Sequence, residues 1–349
     1  MSVTGFSAAA LLGTTRTAAV RVPSLRVLGT IATGIAVPWG LAFLPDGSAV
    51  VGERDSGTVL HVTKAGAKSV IGRIAVHHTN ENGLLGLAVS TAFATDRFVY
   101  AYRTTTSGNE VIRLHWPVGG RLGSLRVLLT GIAAYDHHDG GRLGFGPDGY
   151  LYVSTGDAYV PARSQDRFSL NGKILRITAL GAPAPRNPFD GRTGSRYVWS
   201  YGHRNVEGFG WDTQKRMWSC EFGDHAWDEL NHILPGRNYG WPLAEGDSTI
   251  RGLTNPVEEW RTPTASPSGL AVVNDIVYFG ALQGQEIWQV DVHTGKAGAT
   301  KAWFHQRYGR IRTVVAAPDG SLWVTTSNTD GRAIPRAGDD RILRVGLHY

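Results

Sequence analysis

The chain has 349 residues, 42% hydrophobic and only 18% charged, with 45 glycines, 11 tryptophans and one cysteine, Cys220. Its net charge of +6 is carried by scattered arginines without a basic run, which favours an anionic ligand over nucleic acid, and no window reaches the roughly 18 apolar residues of a membrane span. A single cysteine excludes an intrachain disulfide framework, a cysteine-based metal site and a C-x-x-C-H haem attachment.

Residues 1–23 contain a short apolar centre, GFSAAALLGTTRTAA (5–19), without the basic segment of a secretory signal. They are expected to form a flexible tail or a signal remnant, and residues 24–349 a single domain. From residue 40 onward one unit recurs six times. Its first half is an apolar run, a turn and a second apolar run, clearest in GLAFLPDGSAVVGER (40–54), LGFGPDGYLYVSTGD (143–157) and VVAAPDGSLWVTTSN (314–328). Pro presets φ in these turns and Gly accepts φ > 0. Looser copies start at Gly86, Gly208 and Gly269.

The second half is apolar-apolar-polar-apolar: TVLHV, EVIRL, KILRI, ELNHI, EIWQV and RILRV. From Val59 through Val111, Ile174, Leu230 and Ile287 to Ile342 the intervals are 52, 63, 56, 57 and 55 residues. The fourth copy is degraded, with Asn231 in an apolar position. Six units of about four strands predict an all-β, six-bladed β-propeller of four-stranded antiparallel blades. The N-terminal strand SLRVLGTI (24–31) is expected to share the closing blade with SLWVTTS and RILRV.

In a propeller the rim loops beside the inner strands converge on a central channel, so chemistry should recur there. NENGLLGLA (80–88) brings Glu81. YDHHDGGRLGFGPDGYLYVSTGD (135–157) brings His137 and His138 between two aspartates, open to three readings: a metal site, an acid/base site or a polar loop. YGHRNVEGFGW (201–211) brings Arg204 and Asn205, and CEFGDHAWDELN (220–231) and GRNYGWP (236–242) follow in the same unit. GALQGQ (280–285) holds Gln283. RYGRIRTVVAAPDG (307–320) holds Arg310 and Arg312, whose i, i+2 spacing puts both guanidiniums on one face of an extended segment.

These strings, with PWGLAFLPDG, NGKILRI, DELNHILPGRNYGWP, SPSGLA and RIRTVVAAPDGSLWV, resemble in order and spacing the soluble pyrroloquinoline quinone (PQQ) sugar dehydrogenases. That is the soluble glucose and aldose sugar dehydrogenase group, and the match runs from about residue 35 to the C-terminus. The resemblance implies a six-bladed propeller that oxidises the C1 hydroxyl of aldoses to lactones. It makes His138 the general base, Arg204 the group beside the reactive quinone carbonyls, and Asn205, Arg310 and Arg312 cofactor ligands. Glu81 falls near substrate and quinone. It further implies Ca²⁺ on the backbone carbonyls of Gly223 and Asp224, and a second, structural Ca²⁺ around Glu229, Glu245 and Asp247. An external electron acceptor and an extracellular or periplasmic location complete the expectation.

Two positions depart from the family pattern. Gly223-Asp224 stands where relatives have Gly-Pro, which lets the Asp224 carboxylate add to the cation site. Gln283 stands where relatives place a lysine on the cofactor, so a hydrogen-bonding group replaces a charge. Two other functions are compatible with a propeller: a metal-dependent, lactonase-like hydrolase built on His137, His138 and Asp139, and a non-catalytic binding propeller that has lost PQQ.

Overall fold

The computed structural model describes residues 21–349, so most of the segment read as a tail lies outside the described residues. Pro23 is buried, and its carbonyl accepts a 2.8 Å bond from Gln289 Nε2. The rest forms six antiparallel sheets of four strands, with two four-residue helices, Phe93–Asp96 and Ala162–Gln165. The architecture is the six-bladed β-propeller that the repeat predicts.

The inner strands are Pro38–Phe43, Leu84–Val89, Leu143–Phe145, Val206–Trp211, Pro267–Val273 and Ile311–Ala316. The apolar-apolar-polar-apolar copies form the third strands, from Thr58–Val62 in blade one to Arg341–His348 in blade six. The ring closes when Ser24–Thr33 pairs antiparallel with Arg341–His348. This N-terminal strand is the outer edge of blade six and does not pair with Leu322–Thr326.

The three Pro-Asp-Gly turns share one geometry. Gly47, Gly149 and Gly320 have φ of +81°, +80° and +79°. Asp46, Asp148 and Asp319 each accept the backbone N–H two residues on, at 2.9, 3.2 and 3.0 Å. Stacked blades bury the strands on both faces. Leu85, Tyr100, Tyr102, Leu143, Leu151 and Val153 belong to one such cluster between blades two and three. Each buried aliphatic side chain contributes roughly 1.5–3 kcal/mol, which explains the near-continuous apolar runs.

Glycine holds the inner ring tight. A Cβ on Gly40 would lie 2.4 Å from the Leu85 carbonyl oxygen, on Gly86 2.1 Å from that of Gly141, and on Gly208 2.1 Å from that of Ser268. Backbone therefore packs on backbone between neighbouring blades. At the same height the inner strand slips register in five blades, between Pro38 and Leu41, Leu84 and Leu87, Val206 and Gly208, Pro267 and Leu270, and Ile311 and Thr313. Such bulges re-aim a side chain. Here they set Glu207, Ser268 and Arg312 against one another at the channel.

Candidate active site

The residues singled out in the sequence come from five blades and gather at one end of the channel, opposite the Pro-Asp-Gly turns. His138 is the most constrained of them. It has φ +60°, is buried, and its Nδ1 lies 2.9 Å from Asp157 Oδ1. Asp157 is only 1% exposed. Its Oδ1 also accepts the Tyr159 N–H at 2.9 Å, and its Oδ2 accepts the Trp241 indole N–H at 2.8 Å. A carboxylate satisfied on both oxygens can only accept, so the proton sits on Nδ1 and the lone pair on Nε2 is free to take another. The His138 backbone is pinned as well. A Cβ on Gly156 would lie 1.9 Å from the His138 carbonyl oxygen, and Glu81 Oε2 accepts the His138 N–H at 3.3 Å.

His137 has a different task. Its Nδ1 is 2.8 Å from Asp136 Oδ1, while Asn80 Nδ2 lies 2.8 Å and Arg332 Nη2 3.3 Å from its Nε2. With donors facing Nε2 and a carboxylate facing Nδ1, the ring bridges two loops. Neither histidine takes part in a metal cage, and among the described residues no group of three or more His, Cys, Asp or Glu side chains is placed to hold a metal ion.

Arg204 follows His203, a fully buried residue whose Nδ1 is 2.8 Å from Glu221 Oε1. The other Glu221 oxygen accepts the Arg204 N–H at 2.9 Å, so one carboxylate fixes both residues. The Arg204 guanidinium lies 5.3 Å from the Trp241 ring centroid and donates at 2.7 Å to Asp224 Oδ1. The carboxylate expected to add to a cation site therefore pairs with arginine. Asn205 Oδ1 accepts the Gly140 N–H at 2.9 Å.

Arg310 and Arg312 do share a face. Arg310 Nε donates to Asp330 Oδ2 at 3.0 Å, and Arg312 Nη2 is 3.8 Å from the same oxygen. Arg312 Nη1 reaches Glu207 Oε2 at 2.5 Å, where the Ser268 hydroxyl also donates at 2.6 Å. Arg142 lies beneath them, 4.2 Å from the Trp39 ring centroid, donating to the Glu207 carbonyl at 2.7 Å. Burial pushes Arg142 down to about 10. Gln283 is exposed, one residue beyond Leu282, whose carbonyl accepts Arg310 Nη1 at 3.4 Å.

Sequence reasoning missed Asp157, Trp241, Glu207, Asp330 and Arg332. The first three lie inside quoted motifs, and for Asp157 the signal was available: a buried histidine base needs an orienting carboxylate. Arg332 carried no signal. It arrives from the 327–340 loop of blade six and donates to Glu81 at 2.6 Å and to Asn80 at 2.8 Å, about 250 residues away in sequence. Burial raises the Glu81 carboxyl, but the charge and hydrogen bond of Arg332, with His137 and Arg312, outweigh it and hold it below its ordinary value.

The expected second cation site assembles only in part. Glu229 and Glu245 line a cavity of about 10 Å³ with Glu221. Glu245 Oε1 already accepts four backbone N–H groups, from Asp224, His225, Ala226 and Trp227, and Asp247 is exposed. Burial, reinforced by Glu221, raises Glu229 to about 8. Asn231, the residue that breaks the repeat, donates to Glu221 at 3.0 Å and to Glu229 at 2.9 Å. The degraded fourth copy is thus a buried polar cluster below Arg204.

The site suits a planar polyanion. Arg204 Nε and Arg312 Nε, from blades four and six, are buried without a partner among the described residues. The comparisons agree with that chemistry. A family model described as glucose/sorbosone dehydrogenase matches residues 35–336. The structure of the PQQ-bound form of aldose sugar dehydrogenase from Streptomyces coelicolor is 45% identical, with a TM-score of 0.89, covering 93% of this chain and 98% of that one. Aldose sugar dehydrogenase YliI of Escherichia coli is 29% identical over 85% of this chain and 89% of its own length. Quinoprotein glucose dehydrogenase B of Acinetobacter calcoaceticus is 28% identical over 60% of this chain and 51% of its own. The chain belongs to the glucose/sorbosone dehydrogenase family and is an oxidoreductase of that type.

Proposed function

We propose that this protein oxidises the C1 hydroxyl of aldose sugars to lactones, with PQQ and Ca²⁺ as cofactors, His138 as the general base and an external electron acceptor. The observation that carries the reading is the His138–Asp157 pair. It leaves one lone pair, at His138 Nε2, free to accept a proton.

When bound, PQQ supplies the quinone carbonyl that accepts hydride from the sugar C1. The chain's own residues do the rest. His138 Nε2 takes the anomeric hydroxyl proton, and Asp157 stabilises the imidazolium that forms. Arg204 donates to oxygen on which negative charge develops. Arg310 and Arg312 would bind carboxylates of the cofactor with their forks, and Asn205 and Gln283 would hydrogen-bond it. Glu81, held by Arg332, borders the sugar.

Ion pairing supports a cation in this set. The guanidiniums of Arg204, Arg310, Arg312 and Arg332 already face the carboxylates of Asp224, Asp330, Glu207 and Glu81. A tri-anionic quinone would therefore meet guanidiniums that are already paired, and Gln283 adds no charge. Ca²⁺ on the Gly223 and Asp224 carbonyls would supply two charges through the oxygen ligands a hard cation prefers. Glu229 and Glu221 are the pair that would hold a second, structural cation.

The test is dye reduction by purified protein supplied with PQQ and Ca²⁺, across a panel of aldoses, beside His138→Ala. Sugar-dependent reduction that His138→Ala loses is the expected result. No reduction on any sugar, with no shift of the quinone absorbance, would overturn it, and lactone hydrolysis needing metal but not PQQ would favour a hydrolase. We also propose an extracellular or periplasmic location, which cell fractionation checks. No helix among the described residues is long and apolar enough to cross a membrane.

A further inference from the structure

At the end of the channel opposite the candidate active site, among the Pro-Asp-Gly turns, opens a cavity of about 340 Å³. Its walls are the inner strands of all six blades. Leu41, Leu87, Leu270 and Val314 are buried at its deep end, and exposure rises along each strand to Ala316 at the mouth. Apart from Arg142, every lining residue among those described is apolar or glycine. The volume falls in the range of small-molecule sites, about 300–1,000 Å³.

Arg142 sits at the deep end, 8% exposed, with no carboxylate among the described residues close enough to pair with it. The other buried guanidiniums have one: Arg54 faces Asp55 at 2.6 Å, Arg176 faces Asp148 at 2.8 Å, and Arg310 and Arg312 face Asp330 and Glu207. Lys173, a buried cation that also lacks a carboxylate, donates instead to the carbonyls of Arg163, Ser164 and Asn171 at 2.8, 3.1 and 2.6 Å. Arg142 is less well served. Its Nε donates to the Glu207 carbonyl at 2.7 Å and its Nη2 to the Thr313 hydroxyl at 3.3 Å, while Nη1 has no partner among the described residues. Trp39 covers one face of the guanidinium, so a partner approaches along the edge, where the N–H bonds point. Even pushed down to about 10 by burial, the group is a cation at neutral pH. A buried charge without a counter-charge is costly, and an anion in the cavity would remove that cost.

We infer that this cavity binds a small organic monocarboxylate, its carboxylate on the edge of Arg142 and its apolar body along the inner strands. A guanidinium edge matches a planar carboxylate. One unpaired cation balances one negative charge, and the cavity offers no second cation to a phosphate dianion. The walls give a sugar's hydroxyls few side-chain partners, whereas they bury a hydrocarbon body favourably. A neutral apolar ligand would leave the guanidinium unpaired. The site lies at the other end of the channel from His138, Arg310 and Arg312, so the inference stands apart from the aldose-oxidising reading.

The test titrates the purified protein calorimetrically with phenylacetate, phenylethanol and acetate, with and without PQQ and Ca²⁺. Phenylacetate should bind at least about tenfold more tightly than phenylethanol, which lacks the charge, and than acetate, which lacks the apolar body. Arg142→Met, similar in length but uncharged, should bind phenylacetate no better than phenylethanol. Anomalous diffraction from a wild-type crystal soaked in 4-iodophenylacetate locates the ligand without relying on the variant, and alone decides the matter if Arg142→Met does not fold. Iodine between the inner strands at the turn end is the expected result. Equal binding of phenylacetate and phenylethanol, acetate bound as tightly as phenylacetate, or affinity that Arg142→Met keeps in full overturns the site. So does affinity that PQQ abolishes, or iodine found only beside Arg310 and Arg312 or nowhere, since the carboxylate would then not rest on Arg142.

Discussion

Asp157→Asn separates the role of the orienting carboxylate from that of the base. Asp157 accepts three N–H groups, from His138 Nδ1, the Tyr159 backbone and the Trp241 indole. An amide has one oxygen and cannot accept on both sides. With its oxygen towards His138 and Tyr159, its NH₂ opposes the Trp241 N–H. Turned round, the NH₂ donates to Nδ1 and selects the tautomer protonated on Nε2, which cannot act as a base. Even in the better orientation the imidazolium loses its counter-charge. A hydrogen bond to a charged group is worth about 1.5–3 kcal/mol against about 0.5–1.5 for a neutral one, so about 1–2 kcal/mol of transition-state stabilisation goes. Adding the tautomer penalty, kcat should fall between about 10² and 10⁴-fold, as for other orienting carboxylates behind a histidine base. KM should stay within about threefold, since Asp157 is buried out of reach of a sugar. Steady-state dye reduction, with PQQ occupancy matched by absorbance, reads both constants. A kcat within about twofold of wild type would refute the assignment of His138 as a base oriented by Asp157.

Three further outcomes follow from particular residues. Burial raises Asp139, next to the base, from 3.8 to about 7. The folded state thus holds its proton where the unfolded state releases it. The resulting stability is full below about 3.8 and is lost at about 1.4 kcal/mol per pH unit as pH rises towards about 7. Asp139→Asn, which keeps the acceptor for Asn109 and the Tyr135 N–H, should flatten that slope in denaturant titrations between pH 4 and 8; an unchanged slope would contradict it. Gln283→Lys should tighten PQQ by about fivefold in fluorescence titration, because an exposed charge is worth about 1 kcal/mol; unchanged or weaker binding would place residue 283 away from the cofactor. Asn231→Leu restores the repeat's apolar pattern yet removes a donor from both Glu221 and Glu229, and should cost about 1–3 kcal/mol in denaturant midpoint; a stabilised variant would show that the buried carboxylates do not depend on it.

The fold was legible because each blade buries its second and third strands on both faces, which writes apolar runs such as KILRI at a regular interval. The outer strands left little trace. Gly123–Ile132 is exposed over most of its length, so solvent imposes no pattern on it. The candidate site was legible in part, through residues that sit beside recognisable turns: His138 before its paired glycines, and Arg204 and Asn205 before a bulged inner strand. Partners supplied across the ring were not. Glu207 meets Arg312 only because two bulges 105 residues apart face each other, and Arg332 reaches Glu81 only because the ring closes. The Asp224 carboxylate, read as an extra oxygen for a cation, pairs with Arg204 because a guanidinium from the same blade lies within 2.7 Å. Asn231 looked like decay of the repeat and is instead where the core admits a polar cluster.

The most direct test of the central claim is an anaerobic titration. Protein loaded with one equivalent of PQQ in Ca²⁺ is mixed with excess aldose while the quinone absorbance is recorded. The account predicts that the quinone is reduced in the wild type, and at least about 10²-fold more slowly in His138→Ala that binds PQQ equally well. PQQ that binds tightly but is reduced by no aldose, or is reduced equally fast without His138, would contradict it.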